Sequence, residues 1–233
     1  MRIPSVAQLL ELWEWGDGQP PAMQGLSLLA LACPERSEEE LAHLPIGERD
    51  ALLARLYAAL FGLRQEVVTD CPRCSERLEF PLDLDQLYGG DSRSAAEVTV
   101  GEKTIRFRLP DSTDLLEIAH LEAEAARRTL LARCLVDDIL ADDLTEAEIE
   151  ALERAMEEAD PGANILITLD CPECGHQWQA LFDLLEGFRD RLEVWIRQQL
   201  LDVHYLAQAY GWSEREILAM SPRRRRIYLE MLA

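Results

Sequence analysis

The sequence predicts an α+β fold, with mainly helical N- and C-terminal regions around a small β module made of two similar halves. Three observations carry that expectation. Apolar residues recur at helical spacing from Val6 to Phe61 and again after Asp183. Short alternating runs interrupt that period near Glu66 and near Ile165. Each alternating run leads straight into a cysteine pair, Cys71-Pro72-Arg73-Cys74 or Cys171-Pro172-Glu173-Cys174.

Taken in order, the first helix runs from Ser5 to about Trp15, with Ser5 as N-cap and Val6, Leu9, Leu10, Leu12 and Trp13 as its apolar positions. Gly16 to Pro21 ends it, and the apolar run Leu26 to Ala32 predicts a second helix, closed by Pro34. An acidic segment, Glu38 to Glu40, leads to Leu44. Pro45 suits a first helical turn, and Leu52, Leu53, Leu56, Leu60 and Phe61 form the buried stripe of a helix stopped by Gly62. Val67 to Thr69 and the alternating Leu78, Phe80 and Leu82 predict strands on both sides of the first cysteine pair. Val98 to Val100 and Thr104 to Leu109 flank a Gly101-Glu102 turn and predict a hairpin.

Helical spacing returns after Asp111, and Thr145 with Glu148 forms a capping-box pattern for a helix that ends before Asp160-Pro161-Gly162. Ile165, Ile167 and Leu169 alternate into the second cysteine pair. The resulting division is an N-terminal helical region (1–65), a first knuckle half with its hairpin (66–110), an inserted helical region (111–162), a second knuckle half (163–184) and a C-terminal helical region (185–233).

The two cysteine segments are an internal repeat. Asp70-Cys71-Pro72-x-Cys74 matches Asp170-Cys171-Pro172-x-Cys174, and Asp83-Leu84 and Asp183-Leu184 lie at equal distances beyond them. Two thiolates two residues apart can grip one ion from a tight turn, but a tetrahedral zinc needs four ligands. Cys71, Cys74, Cys171 and Cys174 together supply them, which makes the β module zinc-ribbon-like, with one structural zinc across a long insertion. A disulfide framework fits less well in a chain of this size without a secretion-signal layout. A thiol–disulfide role and plain buried thiols remain as alternatives; the redox motif requires a helix start in βαβ order, and strands flank both pairs here. Gly175 suits a left-handed position after the second pair, where the first has Ser75. Cys33 and Cys134 read as core residues, and His176 as a capping or packing residue.

Composition narrows the function. The chain has 233 residues, 48% of them hydrophobic, enough for a sizeable core. Its net charge of -21 repels phosphate backbones, so nucleic acid is not an expected partner. No apolar run approaches the roughly 20 residues that span a bilayer, which leads to an expectation of no membrane insertion and a cytoplasmic location. A catalytic zinc would keep a position open, and four cysteines close it. No G-x-S-x-G, HExxH or P-loop pattern appears, and the acidic pairs Asp137-Asp138 and Asp142-Asp143 read as solvated helix flanks. No catalytic residue and no organic cofactor site is assigned, and the expectation is a protein that is not an enzyme.

The C-terminus reads as helix, turn, helix, turn, helix: Leu192 to Tyr210 closed by Gly211, a capped segment from Ser213 to Leu218, and a last helix from Ser221-Pro222. Arg223, Arg224, Arg225 and Arg226 give four consecutive positive charges. They either contact the chain's own carboxylates or dock an acidic protein surface.

Several segments carry a resemblance. They are Leu44-Pro45-Ile46-Gly47-Glu48-Arg49-Asp50-Ala51-Leu52-Leu53, both Cys-Pro-x-Cys knuckles, Ala209-Tyr210-Gly211-Trp212-Ser213-Glu214-Arg215-Glu216-Ile217-Leu218, and Ser221 to Leu229. Together they resemble the baseplate or hub-assembly proteins of contractile phage tails and phage-tail-like contractile injection systems, of the T4 baseplate hub assembly type. The resemblance implies a non-enzymatic structural or assembly component, bound to other baseplate, hub or tail proteins and located within, or assembling, such a particle. A tail assembly chaperone absent from the mature particle, and a zinc-ribbon regulatory or adaptor protein, are the other functions these features permit.

Overall fold

The computed structural model describes residues 1–88, 95–101, 103–136 and 141–232. The chain divides into two compact units, one of Met1–Ile3 with Pro20–Gly187 and the other of Pro4–Gln19 with Phe188–Ala233. Among the described residues, no helix is long and apolar enough to cross a membrane.

The helices start where local capping chemistry allows. α1 (Val6–Gly16) begins at Ser5, whose hydroxyl accepts from the Gln8 amide while the Gln8 side chain accepts from the Ser5 amide. α2 (Pro21–Ala32) starts earlier than the apolar run from Leu26 suggests. Pro21 takes a first-turn position, where its missing N–H leaves no helical bond unmade. α3 (Glu38–Ala42) is capped by Ser37, and α4 (Ile46–Phe61) ends at Gly62 with φ 96°.

β1 (Arg64–Asp70) and β2 (Arg77–Asp83) form the first antiparallel ribbon, followed by the short α5 (Leu84–Leu87). β3 (Ala95–Val100) and β4 (Lys103–Arg108) form the expected hairpin, although Glu102 of its turn lies outside the described residues. α6 (Ser112–Ile118), α7 (Ala123–Cys134), a 3-10 turn (Ala141–Asp143) and α8 (Glu146–Ala159) come next. The pair Asp137-Asp138 lies outside the described residues. β5 (Leu166–Asp170) and β6 (Gln177–Leu181) form the last ribbon. α9 (Leu184–Tyr210), α10 (Glu214–Leu218) and α11 (Pro222–Glu230) complete the α+β fold.

The first and last ribbons are copies in register as well as in sequence. Glu66↔Pro81, Thr69↔Leu78 and Asp70↔Arg77 in one correspond to Leu166↔Leu181, Leu169↔Trp178 and Asp170↔Gln177 in the other. In each copy an aspartate at the exit from the ribbon caps the next helix: Asp83 accepts from the Asp85 amide and Asp183 from the Glu186 amide, and Leu84 and Leu184 are buried.

Within the larger unit, the β3–β4 hairpin lays Ile105 and Phe107 against Leu131 of α7 and Leu152 and Ala159 of α8. Removing those side chains from water supplies the main stabilisation, about 25 cal/mol per Å² of apolar surface. In the smaller unit, Val203 and Leu206 of α9 pack with Ile217 of α10, Trp212, Tyr228 and Leu229. Tyr210 stacks on Trp212 at 4.5 Å, and Trp212 meets the Tyr228 ring edge-on at 4.8 Å. Gly211, at φ 69°, makes the turn that allows this stacking.

Candidate metal centre

Each cysteine pair occupies the turn of an antiparallel ribbon. The Cys71 amide donates to the Glu76 carbonyl at 2.8 Å and the Ser75 amide to the Cys71 carbonyl at 2.8 Å. In the second turn, the Cys171 amide donates to the His176 carbonyl and the Gly175 amide to the Cys171 carbonyl, both at 2.9 Å. Such a turn forces the residue after the second cysteine into the left-handed region, with φ 59° at Ser75 and 67° at Gly175. The serine therefore holds the same turn as the glycine, in a conformation that costs an L-residue roughly 1–2 kcal/mol.

The two turns bring the four sulfurs together. The Sγ atoms of Cys71, Cys74, Cys171 and Cys174 all lie within 4.8 Å of one another. The approaches between turns are short, 3.7 Å from Cys71 to Cys174 and 3.5 Å from Cys74 to Cys171. These exceed by far the S–S bond of about 2.05 Å, and all four thiols are free. Cys71 and Cys171 are buried, Cys174 is half-buried and Cys74 is exposed.

Electrostatics tie these thiols to one another. Burial acts to raise the Cys71 thiol, but N–H donors of Arg73 and Cys74 and the neighbouring Cys74 and Cys171 sulfurs outweigh it and lower it to about 7. The Glu76 N–H favours the Cys74 thiolate, yet Cys174, burial, Cys171 and Cys71 together push that thiol up to about 12. Sulfurs this close cannot all carry negative charge without a cation among them. Four sulfurs in this arrangement can hold a metal ion.

The nearby residues take structural roles. The His176 ring stacks on Trp178 at 5.9 Å with 8° between the planes, so it packs while its carbonyl closes the turn. Cys33 and Cys134 are buried core residues, and burial raises both thiols, Cys134 to about 12.

A polar network around the start of α4 was not legible in the sequence. The Ile46 amide donates to the Pro110 carbonyl at 3.2 Å, and the Gly47 amide donates to Asp160 Oδ2 at 2.9 Å. A Cβ on Gly47 would overlap Asp160 Oδ1 and stand 3.1 Å from the Gly162 Cα. Next to it, the fully buried Asp114 accepts two bonds from Arg108, at 2.6 and 2.7 Å, one from Arg133 at 2.7 Å and one from the Asp111 amide at 3.0 Å. Burial opposes the Asp114 charge, but these donors prevail and hold its pKa at about 2. Asp111 in turn caps α6 and meets His43 Nδ1 at 2.9 Å. The only local signal was the Asp111-x-x-Asp114 spacing, which matches a capping box.

The segment from Leu44 to Leu53 and the two knuckles thus belong to one unit, tied by buried aspartates and by the sulfur cluster. The family of T4 bacteriophage base plate proteins matches residues 25–189, more than half of the chain and including both of these features. The aromatic turn at Tyr210-Gly211-Trp212 and the arginine run lie beyond the match. No curated protein and no solved structure matches the chain. With the match covering the α4 entry, the inserted hairpin and helices and both cysteine turns, the chain belongs to the T4 bacteriophage base plate protein family.

Proposed function

We propose that this protein is a non-enzymatic structural or assembly component of the baseplate of a contractile phage tail or contractile injection system, held together by one structural zinc on Cys71, Cys74, Cys171 and Cys174. The family match carries the baseplate reading, and other baseplate, hub or tail proteins are its partners. The sulfur geometry supports zinc: four thiolates about 2.3 Å from a tetrahedral ion have S···S edges of about 3.8 Å, close to the 3.7 and 3.5 Å between the turns. The placement of each pair between antiparallel strands also favours metal over thiol–disulfide exchange, which uses a cysteine pair at a helix start. A closed four-sulfur shell leaves no position for substrate water, so the ion's contribution is to folding.

Mass spectrometry of purified particles, joined with metal analysis of the isolated chain, tests both parts. The expected result is the protein at fixed stoichiometry in mature particles and one zinc per chain. Its absence from mature particles that need it for assembly would identify a tail assembly chaperone instead. Normal particles from a strain lacking it would end the baseplate reading. Full folding in strong chelator, with no zinc detected, would end the zinc reading alone.

A further inference from the structure

We infer that α11 is a docking strip for an acidic, amphipathic helix of another protein. The four arginines of this helix separate by burial. Arg225 is buried, and its Nε and Nη1 have no hydrogen-bond partner among the described residues. Arg223, Arg224 and Arg226 are exposed. Among the described residues, the side chains of Arg223 and Arg226 make no hydrogen bond or ion pair. The Arg224 side chain meets the Tyr228 hydroxyl at 3.4 Å and the face of that ring at 5.7 Å.

Three exposed cations within four residues are conspicuous in a chain with 44 acidic residues and 23 basic ones. Arg108, Arg127, Arg128, Arg133 and Arg197 each pair with a carboxylate, while other arginines such as Arg55, Arg73 and Arg215 stand singly; α11 differs in placing its exposed cations in one consecutive run. Arg225 faces the carboxylate of Asp202 in the same unit, whereas Arg223, Arg224 and Arg226 make no ion pair among the described residues.

Apolar side chains extend the same face. Within α11, Arg223 and Ile227 are four residues apart and Arg224 adjoins them, so the three share one side of the helix, and Met231 follows at its C-cap. Ile227, Met231 and the neighbouring Leu232 are 43%, 68% and 44% exposed. The complementary surface carries carboxylates opposite the arginines and an apolar ridge opposite Ile227 and Met231, which is the face of an acidic amphipathic helix. An extended polyanion such as duplex DNA, or an anionic membrane, would meet the repulsion of a chain with net charge -21. A short helix engages the strip alone.

The inference deepens the baseplate reading by naming a partner's chemistry, but the purified chain tests it without the particle. The probe is a fluorescent helical peptide with glutamates and leucines four residues apart, followed by anisotropy across a salt series. Saturable binding that weakens with salt is expected. Combined Arg223→Gln, Arg224→Gln and Arg226→Gln should weaken it about tenfold or more, and Ile227→Gln should weaken it too, both with unchanged melting temperatures. A peptide of the same composition without the amphipathic spacing should bind less well. No binding, or equal binding by the triple variant, would overturn the proposal. So would a preference for duplex DNA or phosphatidylserine vesicles that depends on the same arginines, or a fall in the chain's own oligomeric mass in the triple variant.

Discussion

Asp160 and Gly47 stand 113 residues apart in the chain, and the carboxylate of one accepts the amide hydrogen of the other at the first turn of α4. The carboxylate satisfies an otherwise orphaned helix N–H and places its charge at the positive end of the helix. The contact is possible because residue 47 has no side chain. Gly47→Ala should therefore destabilise the protein by about 3 kcal/mol, through overlap with Asp160 and loss of the bond. Denaturant unfolding of Gly47→Ala, Asp160→Ala and the double variant checks this. The double variant should cost less than the sum of the singles, since one contact is lost in each.

Replacing one cysteine of the cluster tests the metal directly. Cys171→Ser should abolish zinc binding and lower the melting temperature to that of the wild type in chelator. Structural zinc contributes on the order of 10 kcal/mol in isolated peptides, so the fall should be large. Retained stoichiometric zinc in Cys171→Ser would contradict the four-ligand site.

The two turns make opposite predictions for one backbone position. Ser75→Gly should stabilise by about 0.5–1 kcal/mol, because glycine adopts the left-handed conformation that serine holds under strain. Gly175→Ala should destabilise by about 1 kcal/mol. Among the described residues, none beyond its chain neighbours has an atom within 4 Å of the added methyl, so that cost is conformational. Thermal melts of both variants with zinc present read the difference.

Acid should expose the contribution of Asp114. Its folded pKa of about 2 lies below the ordinary value of 3.8. Stability from this carboxylate is thus fully present above the unfolded pKa and is lost as pH falls from about 4 toward 2, amounting to about 2 kcal/mol. Asp114→Asn should remove that part of the acid dependence while lowering stability at neutral pH. Urea titrations at several pH values between 2 and 7 measure both effects.

How far each interaction reaches along the chain decides how legible it was in the sequence. Thr145 with Glu148 and Ser213 with Glu216 are capping boxes three residues apart, and both form as the pattern indicates. The repeat of Asp-Cys-Pro-x-Cys marks two equivalent turns, and the structure brings their sulfurs together. The start of α2 is hidden because Pro21 reads equally well as the end of a loop and as a first helical residue. Beyond the Asp111-x-x-Asp114 capping box, no local pattern announces that Arg108 and Arg133 meet Asp114 or that Asp160 meets Gly47; these become neighbours through packing. Nor does any spacing indicate that α1 shares a compact unit with the helices at the other end of the chain.

The division of the sulfur cluster between two ribbons has a consequence for the order of events in synthesis. Cys71 and Cys74 leave the ribosome as two of the cluster's four sulfurs, and Cys171 and Cys174 emerge only after the β3–β4 hairpin, α7 and α8 have been made. The hairpin and these helices have a core of their own, formed from residues between Ala96 and Ala159. The intervening segment can thus condense while the first turn waits, and under the proposed metal site capture of an ion by all four sulfurs would be a late step that registers the arrival of the second ribbon.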